Sequence, residues 1–323
     1  MRHKGLTVGS KPALTIGMAC YDDFAGAWMT LQSLRLHHAE VMPRCELIVV
    51  DNGPKTRSAP RLKNLIEGWI GPHARARYVP MEEPVGTSPP RDRVFTEAVG
   101  DTVLCLDSHV MLQPGAIRRL LDYYDANPGC DDLLSGPMLY DDLLSGGVAT
   151  HFQDVWRAEM WGIWGHDARG EDPDGEPFEI GAMGLGLFSC RKAAWPGFHP
   201  YACGFGGEEW YIHEKFRQLS RRCLCLPGLR WLHRYSRPTG MRYPVTQWHK
   251  VRNYMLELQE LGLSLDRLYG HFVEGVIEIP LDGSEGAGPN FLMTPEQWDY
   301  LLADPVGHAT WPGFKRWRES ACP

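Results

Sequence analysis

A run of four apolar residues, Val103 to Leu106, stops abruptly on Asp107-Ser108-His109. Apolar runs of this length, closed by polar residues, read as buried strands of a sheet covered on both faces. A strand of that kind dictates its surroundings, because it needs pairing strands at its edges and helices above and below. In open α/β sheets ligands sit outside the carboxyl ends of the strands, which is where Asp107 and His109 stand. Two residues apart on a fully extended strand, they share a face. A carboxylate and an imidazole on one face are two ligands for a divalent cation.

The chain supplies the neighbours this strand needs. Leu14 to Ala19 reads as a first strand and ends in Cys20-Tyr21-Asp22-Asp23. Glu46 to Val50 reads as a second, stopped by the turn signal Asp51-Asn52-Gly53-Pro54. Arg77 to Pro80 reads as a third. Between them Trp28, Leu31, Leu34 and His38 recur at helical spacing as one covered face, and a second helix is expected from Ala59 to Trp69. After the central strand, Pro114 suits a helical first turn whose buried face is Ile117, Leu120, Leu121 and Tyr124. This rhythm predicts an α/β fold, a Rossmann-type, mostly parallel sheet flanked by helices with right-handed crossovers.

Other stretches are less regular. Glu82 to Arg93 is a Pro- and Gly-rich loop leading to a short helix ending at Val99. The hexapeptide Asp131 to Gly136 recurs verbatim at 141–146, too short a repeat for a solenoid; the first copy reads as a strand entering Pro137 to Tyr140. Trp156, Trp161 and Trp164 precede an acidic loop from Gly165 to Pro177, which suits either a flap over a site or a surface insertion. Gly181, Gly184 and Gly186 lie among Met and Leu in 180–190 and do not match the dinucleotide fingerprint; they suit a close approach of backbone to a ligand or another strand. Gly206-Gly207-Glu208-Glu209 opens a helix with a stripe of Ile212, Phe216 and Leu219, and Leu229 to His233 alternates as a late strand. Helical pieces at Trp248–Leu261 and Pro295–Leu302 mark a C-terminal extension. The expected division is a catalytic unit over 1–238 and a mostly helical appendage over 239–323.

Composition sets limits. The 323 residues can bury a large core, and a net charge of -7 gives no global electrostatic reason to bind nucleic acid. Local arginine clusters at 75–77, 91–93 and 217–222 nonetheless keep a basic groove open. Nine cysteines without a strict ladder of spacings read as reduced core thiols, and Cys223-Leu224-Cys225 reads as strand, lacking zinc-knuckle spacing. The basic stretch Met1 to Lys11 is followed by no signal-peptide apolar segment, and no run of about 18 apolar residues occurs. The expectation is a soluble, cytoplasmic protein.

Four features in order, the strand ending at Asp51, the Asp107-Ser108-His109 tip, Gly206-Gly207-Glu208-Glu209, and His233, resemble GT-A fold glycosyltransferases of the broad second family. Within it they look most like the polypeptide N-acetylgalactosaminyltransferases, which carry Asp-x-His where most relatives carry Asp-x-Asp. Their Trp-Gly-Gly-Glu-Asn segment is similar to Phe205-Gly206-Gly207-Glu208-Glu209. The resemblance spans roughly residues 12 to 238. It implies that Asp107, His109 and His233 bind Mn²⁺; judged by residue type alone, His213, His151 and His249 are rival third ligands. It further implies that Asp51 contacts uracil, that Ala19 and Tyr21 border the nucleoside, and that Ser108 lies by the ribose or diphosphate. Arg91-Asp92 resembles an Arg-Asn pair near base and ribose. Gly184 and Gly186 resemble glycines under the donor sugar, and Glu208 and Glu209 would hydrogen-bond that sugar or the acceptor. Phe205 for Trp and Glu209 for Asn are departures, and no lectin-like repeat of disulfides appears in the tail.

The chemistry of these residues agrees with the resemblance. A sugar diphosphate leaves only when its developing charge is neutralised, and a cation held by few protein ligands supplies that. The expected activity is metal-dependent transfer of a sugar (GalNAc, GlcNAc or hexose) from a UDP-sugar to a hydroxyl. The resemblance favours retention; an inverting reaction would make Glu208 or Glu209 the base. The acceptor class stays open between protein, glycan, small molecule and hydroxymethylated DNA base. A nucleotidyltransferase and a non-catalytic UDP-sugar-binding module are the alternatives. The former lacks its usual Gly-rich, Lys-containing loop here.

Overall fold

The computed structural model describes residues 11–69, 75–83, 85–142, 147–237, 240, 242–243, 245–280, 283 and 286–306. The basic amino-terminal stretch, apart from Lys11, and most of the second hexapeptide copy lie outside these residues, as does the expected domain boundary at 238–239.

The first half alternates as the apolar runs require: β1 (Leu14–Cys20), α1 (Phe24–His37), β2 (Cys45–Asp51), α2 (Ala59–Glu67), β3 (Arg75–Pro80), α3 (Ser88–Glu97) and β4 (Thr102–Asp107). Then come β5 (Val110–Leu112), α4 (Ala116–Ala126), β6 (Leu133–Ser135), β7 (Met138–Leu139), β8 (Val148–Ala149), β9 (His151–Arg157), β10 (Met160–Gly165), β11 (Phe178–Glu179) and β12 (Leu187–Arg191). The last elements are α5 (Glu208–Gln218), β13 (Cys223–Cys225), β14 (Trp231–His233), α6 (Gln247–Glu260), α7 (Asp266–Phe272) and α8 (Pro295–Ala303).

Eight strands form the main sheet in the order β11-β13-β6-β12-β4-β1-β2-β3. The β4-β1-β2-β3 half is parallel, and β12 enters antiparallel against β4. Register aligns Ala19 with both Val50 and Asp107, so the first, second and fourth strands end at one level. One apolar layer packs α1, α2 and α4 on the sheet through Leu31, Leu62 and Leu120; the opposite layer packs α3 and α5 through Val94, Phe95, Ile212 and Phe216. A third cluster joins Trp156 of β9 to Val251, Tyr254, Leu268 and Trp298 of the C-terminal helices.

Several local expectations need correction. Pro114 lies ahead of the α4 N-cap, Gly115, whose φ of 86° suits a residue without a side chain. Trp28 is half exposed instead of covered, and Leu219 also faces outward. The three tryptophans of 156–164 belong to the β9–β10 hairpin, and Trp161 stacks on both Trp156 and Trp210. No helix among the described residues is long and apolar enough to cross a membrane.

Candidate functional site

At the carboxyl edge of the sheet β4 ends on Asp107, whose N–H donates to the carbonyl of Gly186 (2.9 Å). Ser108 and His109 form a turn, not a strand extension, so the shared strand face expected from sequence is not what unites the pair. The turn leads into β5, and β14 pairs antiparallel with β5, setting His233 opposite Val110. Residues far apart in the chain thereby meet. Oδ2 of Asp107 is 3.8 Å from Nε2 of His109 and 3.8 Å from Nε2 of His233. The two imidazoles stand edge to face at 4.9 Å. Among the described residues this is the one cluster of three His, Cys, Asp or Glu side chains able to hold a metal ion, its ligand atoms within 4.8 Å of one another.

The protonation states suit ligation. Burial alone would raise Asp107, but the Arg91 guanidinium and the two histidines hold it well below the usual carboxylate range. Burial pushes His233 down, towards neutral imidazole. Nδ1 of His109 lies 3.1 Å from Oδ2 of Asp23, and Nε2 accepts from Arg237 (2.7 Å). These partners place the ring proton on Nδ1 and the lone pair on Nε2, the arrangement of a metal-ligating histidine backed by a carboxylate. Ligand bonds of about 2.1 Å put ligand atoms roughly 3 to 4 Å apart, so a slight contraction of the triad fits a cation. Arg237 must first leave Nε2.

A second cluster lies beside the tip. Arg91 is buried and donates to Oδ1 of Asp107 (2.8 Å) and to Oε1 of Glu208 (3.2 Å). Glu208, 1% exposed, also accepts from Thr87 Oγ1 (2.5 Å) and, through Oε2, from the Gly206 amide (2.9 Å). Both its oxygens are thus occupied within the protein. Glu209, partly exposed at the start of α5, differs: burial and the neighbouring Glu208 charge push it up to about 8.

The other expected site residues are placed as follows. Ala19 ends β1 in register with Asp107, and Tyr21 meets Tyr243 edge on, 6.0 Å between centroids. Asp51 is buried, accepting from the Gly53 amide (2.9 Å) and the Tyr78 hydroxyl (2.6 Å). Ser108 Oγ donates to Asp23, and Asp92 turns away from the site to hold Trp195 and Phe198. Gly184 is buried against Trp164, whereas a Cβ at Gly186 would meet Trp231 at 2.7 Å and His233 at 3.3 Å. Of the rival ligands, His213 bonds the Glu209 carbonyl and His151 the Thr150 hydroxyl, and neither these two nor His249 joins the triad. Sequence reasoning missed Asp23 and Arg237. Asp23 carried a visible signal, an acid closing the first strand and capping α1 through the Gly26 amide. Arg237 carried none.

The sequence model described as Glycosyl transferase family 2 matches residues 15–190. A crystal structure of GalNAc-T7 with UDP, GalNAc and Mn²⁺ superposes with a TM-score of 0.64 at 17% identity, covering 81% of this chain and 51% of that one. Residues 1–349 of S. aureus TarS in complex with UDP-GlcNAc superpose with a TM-score of 0.50 at 14% identity, covering 79% and 68%. The chain thus spans about half the length of the GalNAc-T7 chain it matches. These likenesses show the fold, a GT-A-like α/β sheet. No curated protein sequence matches the chain.

Proposed function

Because the chain belongs to glycosyl transferase family 2, we propose that it is a divalent-cation-dependent enzyme transferring a sugar from a UDP-sugar to an acceptor hydroxyl. The observation that carries this reading is the Asp107–His109–His233 triad at the carboxyl edge of the sheet. The ligand set of one carboxylate and two neutral imidazoles suits Mn²⁺ with positions left for oxygen ligands. GalNAc-T7, of like fold, holds UDP, GalNAc and Mn²⁺ in its crystal structure, and TarS holds UDP-GlcNAc. GalNAc, GlcNAc and a plain hexose are the donor sugars we assign.

The protein's own residues have distinct tasks in this proposal. Asp107, His109 and His233 would hold the cation, which would supply Lewis-acid stabilisation of diphosphate charge. Asp23 keeps the His109 proton on Nδ1. Arg237, once released from Nε2, would supply fixed positive charge beside the diphosphate. Ala19, Tyr21, Asp51 and Ser108 border the nucleoside and ribose, and Gly186 underlies the donor sugar beside His233. Arg91 acts from behind as a positioning residue. Residues 1–238 form the catalytic unit and 239–323 its extension, with α6 reaching back to the Gly206 carbonyl through Asn253.

The family resemblance favours retention of anomeric configuration, in which the leaving diphosphate helps deprotonate the attacking hydroxyl. One observation favours a second reading, inversion with Glu209 as base: Glu208 has both oxygens engaged within the protein, whereas Glu209 is partly exposed beside it, its carboxyl pushed up by burial and by the Glu208 charge. A panel of UDP-sugars incubated with Mn²⁺ or with EDTA, read by UDP release and by the anomeric proton coupling of the product, tests both points. We expect Mn²⁺-dependent release from a GalNAc, GlcNAc or hexose donor. No release from any of them would sink the transferase reading, and an inverted product would replace retention by the Glu209 mechanism.

A further inference from the structure

A cavity of about 880 Å³ opens where α1 and α2 begin, lined by Phe24, Trp28, Arg57, Ser58, Arg61 and Arg242 together with Asp22 and Asp23. It lies on the α1–α2 side of the sheet, whereas Arg91 lies on α3, which packs on the opposite face. Asp23 is the shared wall, its carboxylate being turned to His109.

Arg242 pairs with Asp22 (2.6 Å), and Ser58 donates to the same carboxylate. Arg61 lies over the Phe24 ring at 4.1 Å and has no acidic partner among the described residues; Arg57 has no polar partner there at all. Two guanidiniums therefore lack an acidic partner, and the cavity wall carries three arginines against two aspartates on a chain of net charge -7. Most members of the arginine clusters that the sequence singles out are paired with acids, Arg75 alone having no acidic partner among the described residues. Arg77 and Arg93 pair with Glu97, Arg91 with Asp107 and Glu208, Arg217 with Glu214, and Arg221 and Arg222 with Asp131 and Asp132. At the same rim Trp28 is 50% exposed, one helical turn after Phe24. Guanidiniums recognise phosphate oxygens through paired N–H groups, and an exposed indole beside them offers a face for a nucleobase.

We propose that this cavity holds a phosphodiester of a single-stranded nucleic acid, with Arg57 and Arg61 on the phosphate and the adjoining base stacked on Trp28. A polyol-phosphate chain would meet the arginines but would have no ring for the indole. The proposal rests on the sugar-transfer reading only in making the strand the acceptor; binding in the cavity stands apart from it.

The test is the anisotropy of a labelled 12-nucleotide single-stranded DNA, titrated with the full chain at several salt concentrations and without UDP-sugar. Two phosphate contacts give a log–log salt slope of about -1.4. Arg57→Gln with Arg61→Gln should weaken binding at least about tenfold and flatten that slope, and Trp28→Ala should weaken it about 5- to 100-fold. Melting temperatures should stay at the wild-type value, as should Mn²⁺-dependent UDP release without oligonucleotide. No binding, binding undiminished in both variants, or tighter binding of a polyol phosphate with no response to Trp28→Ala would each overturn the proposal. Loss of oligonucleotide binding alone leaves sugar transfer standing, and oligonucleotide binding without UDP release from any donor removes sugar transfer alone.

Discussion

Oδ2 of Asp23 stands 3.1 Å from Nδ1 of His109, across the imidazole from the nitrogen that faces Asp107. One carboxylate thereby fixes the tautomer of a histidine 86 residues later and also caps α1 through the Gly26 amide. Carboxylates behind ligating histidines are worth about 10- to 100-fold in metal affinity. Asp23→Asn, which keeps a capping oxygen but loses the charge, should weaken Mn²⁺ binding by that range with little change in melting temperature. Calorimetric titration checks this, and unchanged affinity would separate Asp23 from the site.

Arg91 joins the tip to the start of α5, bonding Asp107 and Glu208 at once. Removing one partner of a buried ion pair typically costs about 3 to 5 kcal/mol, because a charge is left uncompensated. Arg91→Met should lose stability of that order in urea unfolding. Adding Glu208→Gln should return part of the loss, since the two changes share a contact.

Glu209 gives a pH dependence of known sign. Its folded pKa, about 8, lies above the ordinary glutamate value of 4.5. Between those values the folded state binds more protons than the unfolded one, so stability is full below the lower value and falls as pH rises through the upper. Glu257, buried and also raised, pulls the same way. Glu209→Gln should therefore flatten, without abolishing, the decline in melting temperature between pH 5 and pH 9. The same variant should retain turnover if the sugar is transferred with retention and lose it if Glu209 is the base.

Gly186 lies where a side chain would press on Trp231 and His233. Overpacking of this kind costs about 1 to 3 kcal/mol. Gly186→Ala should lose that stability and, by displacing His233, should also weaken Mn²⁺ binding. A variant as stable as wild type with unchanged affinity would mean that the ring has room to move.

The parts of this molecule that were legible in sequence are those set by local pattern. The apolar runs of β1, β2 and β4 announced both their burial and the polar tips that end them, so Asp51 and Asp107 stood out at once. His109 stands beside Asp107 through a turn, and beside His233 through the β5–β14 pairing, not through the shared strand face that the sequence suggests. His233 was reachable only through family order, because no local signal encodes a pairing between strands 120 residues apart. The Pro-rich loop before α3 concealed Arg91 in the helix itself, where prolines fit the first turn. Charge runs misled for a related reason: whether an arginine is surplus depends on acids that only tertiary packing brings near.

The central claim is that Asp107, His109 and His233 together hold the cation that serves the UDP-sugar. Counting bound Mn²⁺ by the electron paramagnetic resonance of the free ion, with UDP present, tests it most directly. Wild-type protein should bind one ion per chain at the site, and Asp107→Ala and His109→Ala should each lose it while keeping the wild-type circular dichroism. Stoichiometric, equally tight binding in both variants would contradict the claim.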